Sequence, residues 1–227
     1  DLSILTALQT ILRKGKWQVT IAIYTDKTDE SPRITGLWPG LHEAGIFGLA
    51  IDLGSTTVAA HLCDLTSGEV VASSGIMNPQ IRFGEDLMSR VSYAMLNSGG
   101  DCEMTDAVRT AINALIDELA QEASVNTEQI LEVVFVCNPV MHHLLLGIDP
   151  VELGQAPFAL ATSESLSFGT QELGLSKMAP AARCYILPCI AGHVGADAAA
   201  VTLSEEPNQS KDLVLVVEPE HCQSLER

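Results

Sequence analysis

The stretch Gly48-Leu49-Ala50-Ile51-Asp52-Leu53-Gly54-Ser55-Thr56-Thr57-Val58 decides how the chain is read. An apolar run beginning at Ile46 ends in Asp52, enters a Gly-Ser-Thr-Thr turn and resumes at Val58. That pattern predicts a strand, a tight hairpin and a second strand over residues 58–64. The polar turn Thr66-Ser67-Gly68-Glu69 then predicts a third strand over 70–77, so the three form an antiparallel meander able to carry helices. The first turn also gathers several N–H groups and three hydroxyls, a setting that suits an anion. Gly54 permits close approach of a phosphate, and Asp52 is placed to hold Mg²⁺ directly or through water. An ordinary hairpin is the alternative, because such side chains favour turns for local reasons. No G-x-x-x-x-G-K-[ST] loop occurs in the chain.

Downstream, residues 85–97 and 104–123 read as helices, the second with Val108, Ile112, Leu115, Ile116 and Leu119 on one stripe and Thr105 or Asp101 as its cap. A β-branched run over 131–136 predicts a strand, and Asn138-Pro139 opens a helix that stops at Gly147. Residues 148–180 read as irregular. A strand over 184–187, a glycine-rich turn from Gly192 to Asp197, a short helix over 198–203 and a last strand over 213–217 follow. Upstream, 2–12 reads as a helix and 19–24 as a strand, while Pro32, Gly36, Pro39, Gly40 and Gly45 mark 25–45 as a connector. The boundary near Gly45 separates residues 1–45 from a main domain over 46–227.

Of 227 residues, 47% are hydrophobic and 18% charged, which is the composition of a globular chain. The 12 Lys and Arg against 29 Asp and Glu give a formal charge of -17. Such a surface repels phosphate backbones and anionic headgroups, so nucleic acid and membrane are excluded as partners. With no apolar run of the ~18 residues that span a bilayer and no basic-flanked leader, a cytoplasmic protein is expected. The six cysteines are scattered without a C-x-x-C pair and read as buried thiols, Cys184 and Cys189 included. His142 and His143, about 100° apart on a helix, cannot form an i, i+4 zinc pair, and one of them is expected in the core. His61 and His193 add no ligand spacing.

The segment 48–58 resembles the first phosphate motif of the acetate and sugar kinase, Hsp70 and actin superfamily of ATPases. Three more segments narrow the resemblance: Asn78-Pro79-Gln80-Ile81-Arg82-Phe83-Gly84-Glu85-Asp86-Leu87-Met88-Ser89-Arg90, then Asn138-Pro139-Val140-Met141-His142-His143, then Leu187-Pro188-Cys189-Ile190-Ala191-Gly192-His193-Val194-Gly195-Ala196-Asp197. In this order they are similar to the ATP-dependent reductive activators of corrinoid proteins, over about residues 19–217.

The resemblance implies an α/β fold, an actin-like, ribonuclease H-like ATPase lobe with a mixed sheet and flanking helices, preceded by part of a small linker domain. It implies ATP and Mg²⁺ as cofactors, a corrinoid protein of a methyltransferase system as partner, and hydrolysis that helps return Co(II) corrinoid to Co(I). A [2Fe–2S] cluster is expected only in the full-length family, since the cysteine spacings here do not match such a module. Asp52 and Asp197 are the implied catalytic acids, and Gly54, Ser55, Thr56, Thr57, Gly192, Gly195 and Asn138 the implied nucleotide contacts. For several of these a local role stands beside the functional one: Asp197 and Asn138 as caps, Gly192 and Gly195 as turn formers. Arg82, Glu85 and Asp86 are cleft or partner contacts, or else serve the adjoining helix N-terminus. Members commonly carry Gly-Asn-Thr where this chain has Cys137-Asn138-Pro139. A second phosphate loop resembling Asp-Ile-Gly-Thr-Asn is expected after 213–217, where the chain reads Glu218-Pro219-Glu220-His221-Cys222. With no initiator Met, this reads as a fragment with impaired ATPase activity. A sugar or carboxylate kinase and a non-catalytic docking module for a corrinoid protein are the alternatives.

Overall fold

The computed structural model describes residues 1–25 and 31–206. The strand expected over 213–217 and the end of the chain lie outside them. The amino-terminal unit comprises a helix, α1 (Leu2–Lys14), and two antiparallel strands, β1 (Val19–Tyr24) and β2 (Arg33–Pro39). Asp1 caps α1 through Ser3 N, and Arg13 and Lys14 sit in its last turn, where cations suit the helix dipole. The strand β2 corrects the expected connector: Pro39 ends it, and Gly36 lies in it because the Trp38 ring fills the space a side chain would take.

Among the described residues the main domain is built on six strands, β3 (Phe47–Leu53), β4 (Thr57–Asp64), β5 (Val70–Met77), β6 (Ile130–Cys137), β7 (Leu166–Gly169) and β8 (Arg183–Ile186), in the order β5-β4-β3-β6-β8-β7. The pairs β3–β4 and β4–β5 are antiparallel, as the meander predicts, whereas β6 runs parallel to β3 and to β8. The carboxyl ends of β3, β6 and β8 therefore lie on one side of the sheet, where open α/β sheets bind ligands. The strand β7 corrects the irregular reading of 148–180; it has only four residues, all half-buried, and pairs antiparallel at the edge.

Four α-helices accompany the sheet among the described residues: α2 (Leu87–Leu96), α3 (Gly100–Glu122), α4 (Pro139–Leu146) and α5 (Ala196–Glu205). Helix α3 buries Met104, Val108, Ile112, Leu115, Ile116 and Leu119, each contributing roughly 1.5–3 kcal/mol by leaving water. Its cap is Gly99 in the left-handed region rather than Asp101 or Thr105, so the helix starts earlier than its apolar stripe indicates. Thr105 is buried instead and donates to Leu144 O at 2.7 Å. Helix α4 is buried nearly all round, as its apolar residues on every face require, and it takes His142 and His143 into the interior with them. Asn138 caps it, Pro139 occupies its first turn, and Gly147 closes it at φ 77°. No helix among the described residues is long and apolar enough to cross a membrane.

Candidate phosphate site at the carboxyl ends of the strands

Alternation along β3 buries Leu49, Ile51 and Leu53 and leaves Asp52 exposed. The loop that follows is held from below. Asn78, fully buried, donates from Nδ2 to Gly54 O at 2.8 Å, and its own backbone N–H donates to Thr56 O at 2.8 Å. Between them, the Arg90 guanidinium donates to Ser55 O. In a trans peptide the N–H points opposite to the C=O. Three consecutive carbonyls turned into the domain therefore turn the N–H groups of Ser55, Thr56 and Thr57 the other way. Gly54 N closes the turn on Thr57 O at 3.0 Å. Gly54 is buried, Ser55 half-buried, and Thr56 and Thr57 exposed.

Parallel pairing puts Asp52 beside Val136 and Leu53 beside Cys137, so the loop opens next to the start of α4. There Asn138 Oδ1 accepts from Met141 N at 3.0 Å, the expected cap. That bond settles which end of the amide is which, and Asn138 Nδ2 is buried with no hydrogen-bond partner among the described residues. Helix α5 arrives at the same place. A side chain on Gly195 would begin 2.6 Å from Asn138 Cα, Cys137 O and Asp197 Oδ1, so only glycine admits this approach. Gly195 is the cap residue of α5, and Asp197 lies inside its first turn, bonded through Oδ1 to Ala198 N at 2.8 Å. Asp197 is thus a first-turn acid rather than the cap. Asp52 pairs beside Val136, and Asp197 Oδ1 and Cys137 O both face Gly195, so both carboxylates flank the end of β6, where burial first and then neighbouring Cys189, Asp197 and Asp52 push the Cys137 thiol well up.

These residues fit a phosphate with Mg²⁺. The outward N–H groups and the orphaned Asn138 amide are donors for anionic oxygen, two helix N-termini meet there, and Asp52 and Asp197 supply carboxylates for a cation. At Gly192 a side chain would lie 1.9 Å from Phe158 O, so its bare face packs against the 155–160 loop. A groove of about 210 Å³ lies away from this cluster, between Ile4, Ala7, Ile11 and Trp38 of the amino-terminal unit and residues 179–181 of the main domain.

Of Arg82, Glu85 and Asp86, the last takes the helix N-terminal role. Asp86 caps α2 by accepting from Ser89 N at 2.7 Å, which holds its carboxyl below the usual range. Arg82 lies over the Phe83 ring at 4.6 Å, and Glu85 is exposed. Both His142 and His143 are buried, not one. His143 Nδ1 donates to Pro139 O and Nε2 accepts from Ala161 N, which fixes a neutral ring. Burial pushes the Cys184 and Cys189 thiols up, to about 12 and about 11. Sequence reasoning missed Asn78 and Arg90 as the loop's supports. A signal was present for the second: Arg90 falls on the α2 stripe with Leu87, Val91 and Ala94, where a cation belongs only if it has buried acceptors.

A family model described as the RACo middle region matches residues 47–210, and one described as the RACo linker region matches residues 1–44. The chain is 33% identical over 161 residues to the corrinoid activation enzyme RamQ of Eubacterium limosum, covering 71% of this chain and 27% of that enzyme. It also matches the solved structure of a reductive activator for corrinoid, iron-sulfur protein, with a TM-score of 0.83 and 32% identity over 94% of this chain and 33% of that one. It spans a third or less of each of these relatives. The mixed sheet, the loop at its carboxyl edge and the two matched regions agree: the chain belongs to the RACo family of corrinoid-protein activators.

Proposed function

We propose that this chain is the phosphate-gripping lobe of an ATP-dependent reductive activator that acts on a corrinoid protein of a methyltransferase system. The reading rests on one convergence: the outward N–H groups of residues 55–57, the unpartnered Asn138 amide and the carboxylates of Asp52 and Asp197 meet at the end of β6. The N–H groups and hydroxyls of Ser55, Thr56 and Thr57 bind phosphate oxygens, and Asn138 Nδ2 adds a donor. Asp52 holds the Mg²⁺ shell, directly or through water. Asp197 orients the attacking water and receives its proton. Bound there, Mg-ATP supplies the free energy that helps take Co(II) corrinoid to Co(I).

In a full-length member the [2Fe–2S] domain that the family resemblance implies would supply the electron; in this lobe the Cys137, Cys184 and Cys189 thiols are buried and held protonated. A strongly acidic surface fits a protein partner rather than nucleic acid, and a cytoplasmic setting fits the low-potential chemistry. The test uses the full-length protein with its corrinoid partner and a chemical electron donor, following the Co(II) absorption band. Reduction that requires ATP and is lost in Asp52→Ala supports the reading. Reduction at the same rate without ATP, or unchanged in Asp52→Ala, contradicts it.

A further inference from the structure

Arg90 is among the largest fully buried side chains in the domain, and burying a guanidinium is costly unless its donors are matched. Its bonds span three separate elements. Nε donates to Gly84 O at 3.0 Å in the turn before α2, Nη1 to Met141 Sδ at 3.3 Å on α4, and Nη2 to Ser55 O in the loop. Asn78 reaches the same Met141 sulfur at 3.5 Å while holding Gly54 O. The loop and the first turn of α4 are thus tied to one buried polar frame. In that frame a cation holds the middle carbonyl of the three, and charge-assisted bonds are roughly twice as strong as neutral ones.

We infer that Arg90 is a positioning residue of the phosphate loop: by holding the Ser55 carbonyl inward and Met141 in place, it aims the Thr56 N–H and the α4 N-terminus at the same anion. It touches no ligand itself and acts through the Ser55–Thr56 peptide. The planar fork is what the task needs, because one side chain must meet acceptors on three elements at fixed angles. A lysine keeps the charge but offers one compact ammonium on a flexible stem. The inference rests on the nucleotide reading above and goes beyond it by naming the residue that sets the loop's donor geometry.

The experiment titrates the chain with Mg-ATP and, separately, Mg-tripolyphosphate, for the native protein, Arg90→Lys and Arg90→Gln. Thermal unfolding and the amide resonances of Ser55, Thr56 and Thr57 are recorded beside each titration. The native chain is expected to bind both ligands, with the Thr56 amide shifting on saturation. Both variants are expected to bind both ligands at least tenfold more weakly, about 1.4 kcal/mol, with the Thr56 resonance displaced before ligand is added. A merely structural role would lower the unfolding temperature while leaving the affinity of the folded protein within twofold of native, and that result overturns the inference. If a variant does not unfold cooperatively, the native chain decides: a Thr56 amide that stays still while Mg-ATP binds also overturns it. A native chain that binds neither ligand instead removes the nucleotide reading on which the inference stands.

Discussion

Gly195→Ala is the substitution on which the packing at the proposed site is most exposed to test. The backbone at Gly195 has φ -87° and ψ -172°, extended values that alanine adopts without strain, so the cost is contact alone. The new methyl would lie 2.6 Å from Asn138 Cα, Cys137 O and Asp197 Oδ1, and two of these three are backbone atoms that cannot swing aside. Overpacking of this kind costs about 1–3 kcal/mol, and the reduced freedom of the unfolded alanine chain offsets roughly 0.4–1 kcal/mol of it. The net loss is about 1–2 kcal/mol, which for a domain of this size lowers the unfolding temperature by roughly 2–8 °C. The readout is differential scanning calorimetry of the two proteins at one pH and salt. Because relief comes by moving α5 off the end of β6, Mg-ATP stabilisation is also expected to shrink. An unfolding temperature within 1 °C of native, with nucleotide binding intact, would refute the close approach of α5 to Asn138.

Three further substitutions probe other parts of the account. Gly147→Ala, at φ 77° where α4 ends, should cost about 1–2 kcal/mol in urea unfolding because an L side chain strains the left-handed cap; an unchanged midpoint would contradict that geometry. Thr105→Val removes the donor to the buried Leu144 carbonyl and should cost about 1–3 kcal/mol, whereas exchange of the exposed Thr66 should cost nearly nothing. His142 has its pKa pushed down to about 4 by burial, with His143 next to it adding to the effect. The unfolded chain therefore binds the proton first: stability is full above pH 6.5 and falls by roughly 2–3 kcal/mol as the pH drops toward 4. In denaturant melts at pH 7.5 and pH 5, His142→Leu should lose clearly less stability than the native chain, and an equal loss would sink the assignment.

What the sequence disclosed follows periodicity and turn chemistry. The meander over β3, β4 and β5 was legible because alternating apolar strands are separated by Gly-Ser-Thr-Thr and Thr-Ser-Gly-Glu turns. Helix α4 was legible because its cap, its proline and its terminal glycine are all local signals. The strands β2 and β7 were not. Both take their place from a partner strand rather than from their own pattern, β2 carrying Gly36 and Pro39, and β7 having only four residues. At the site, chain order alone shows Asp52 and Gly54 at the end of a strand. It does not show that Gly195 abuts Asn138, or that Arg90, 35 residues from Ser55, is bonded to that residue's carbonyl. The first contact depends on the parallel placement of β8 beside β6, and the second on α2 packing beneath the loop after β3.

The most direct test of the central claim is thermal unfolding of the chain with and without Mg-ATP, for the native protein and Asp52→Ala. A ligand at 100 times its Kd adds about 2.7 kcal/mol, which for a domain of this size raises the unfolding temperature by roughly 5–11 °C. The account predicts a rise of that order in the native chain and its loss in Asp52→Ala. A cooperative transition that Mg-ATP leaves unmoved would contradict it and leave the lobe as a docking module for a corrinoid protein.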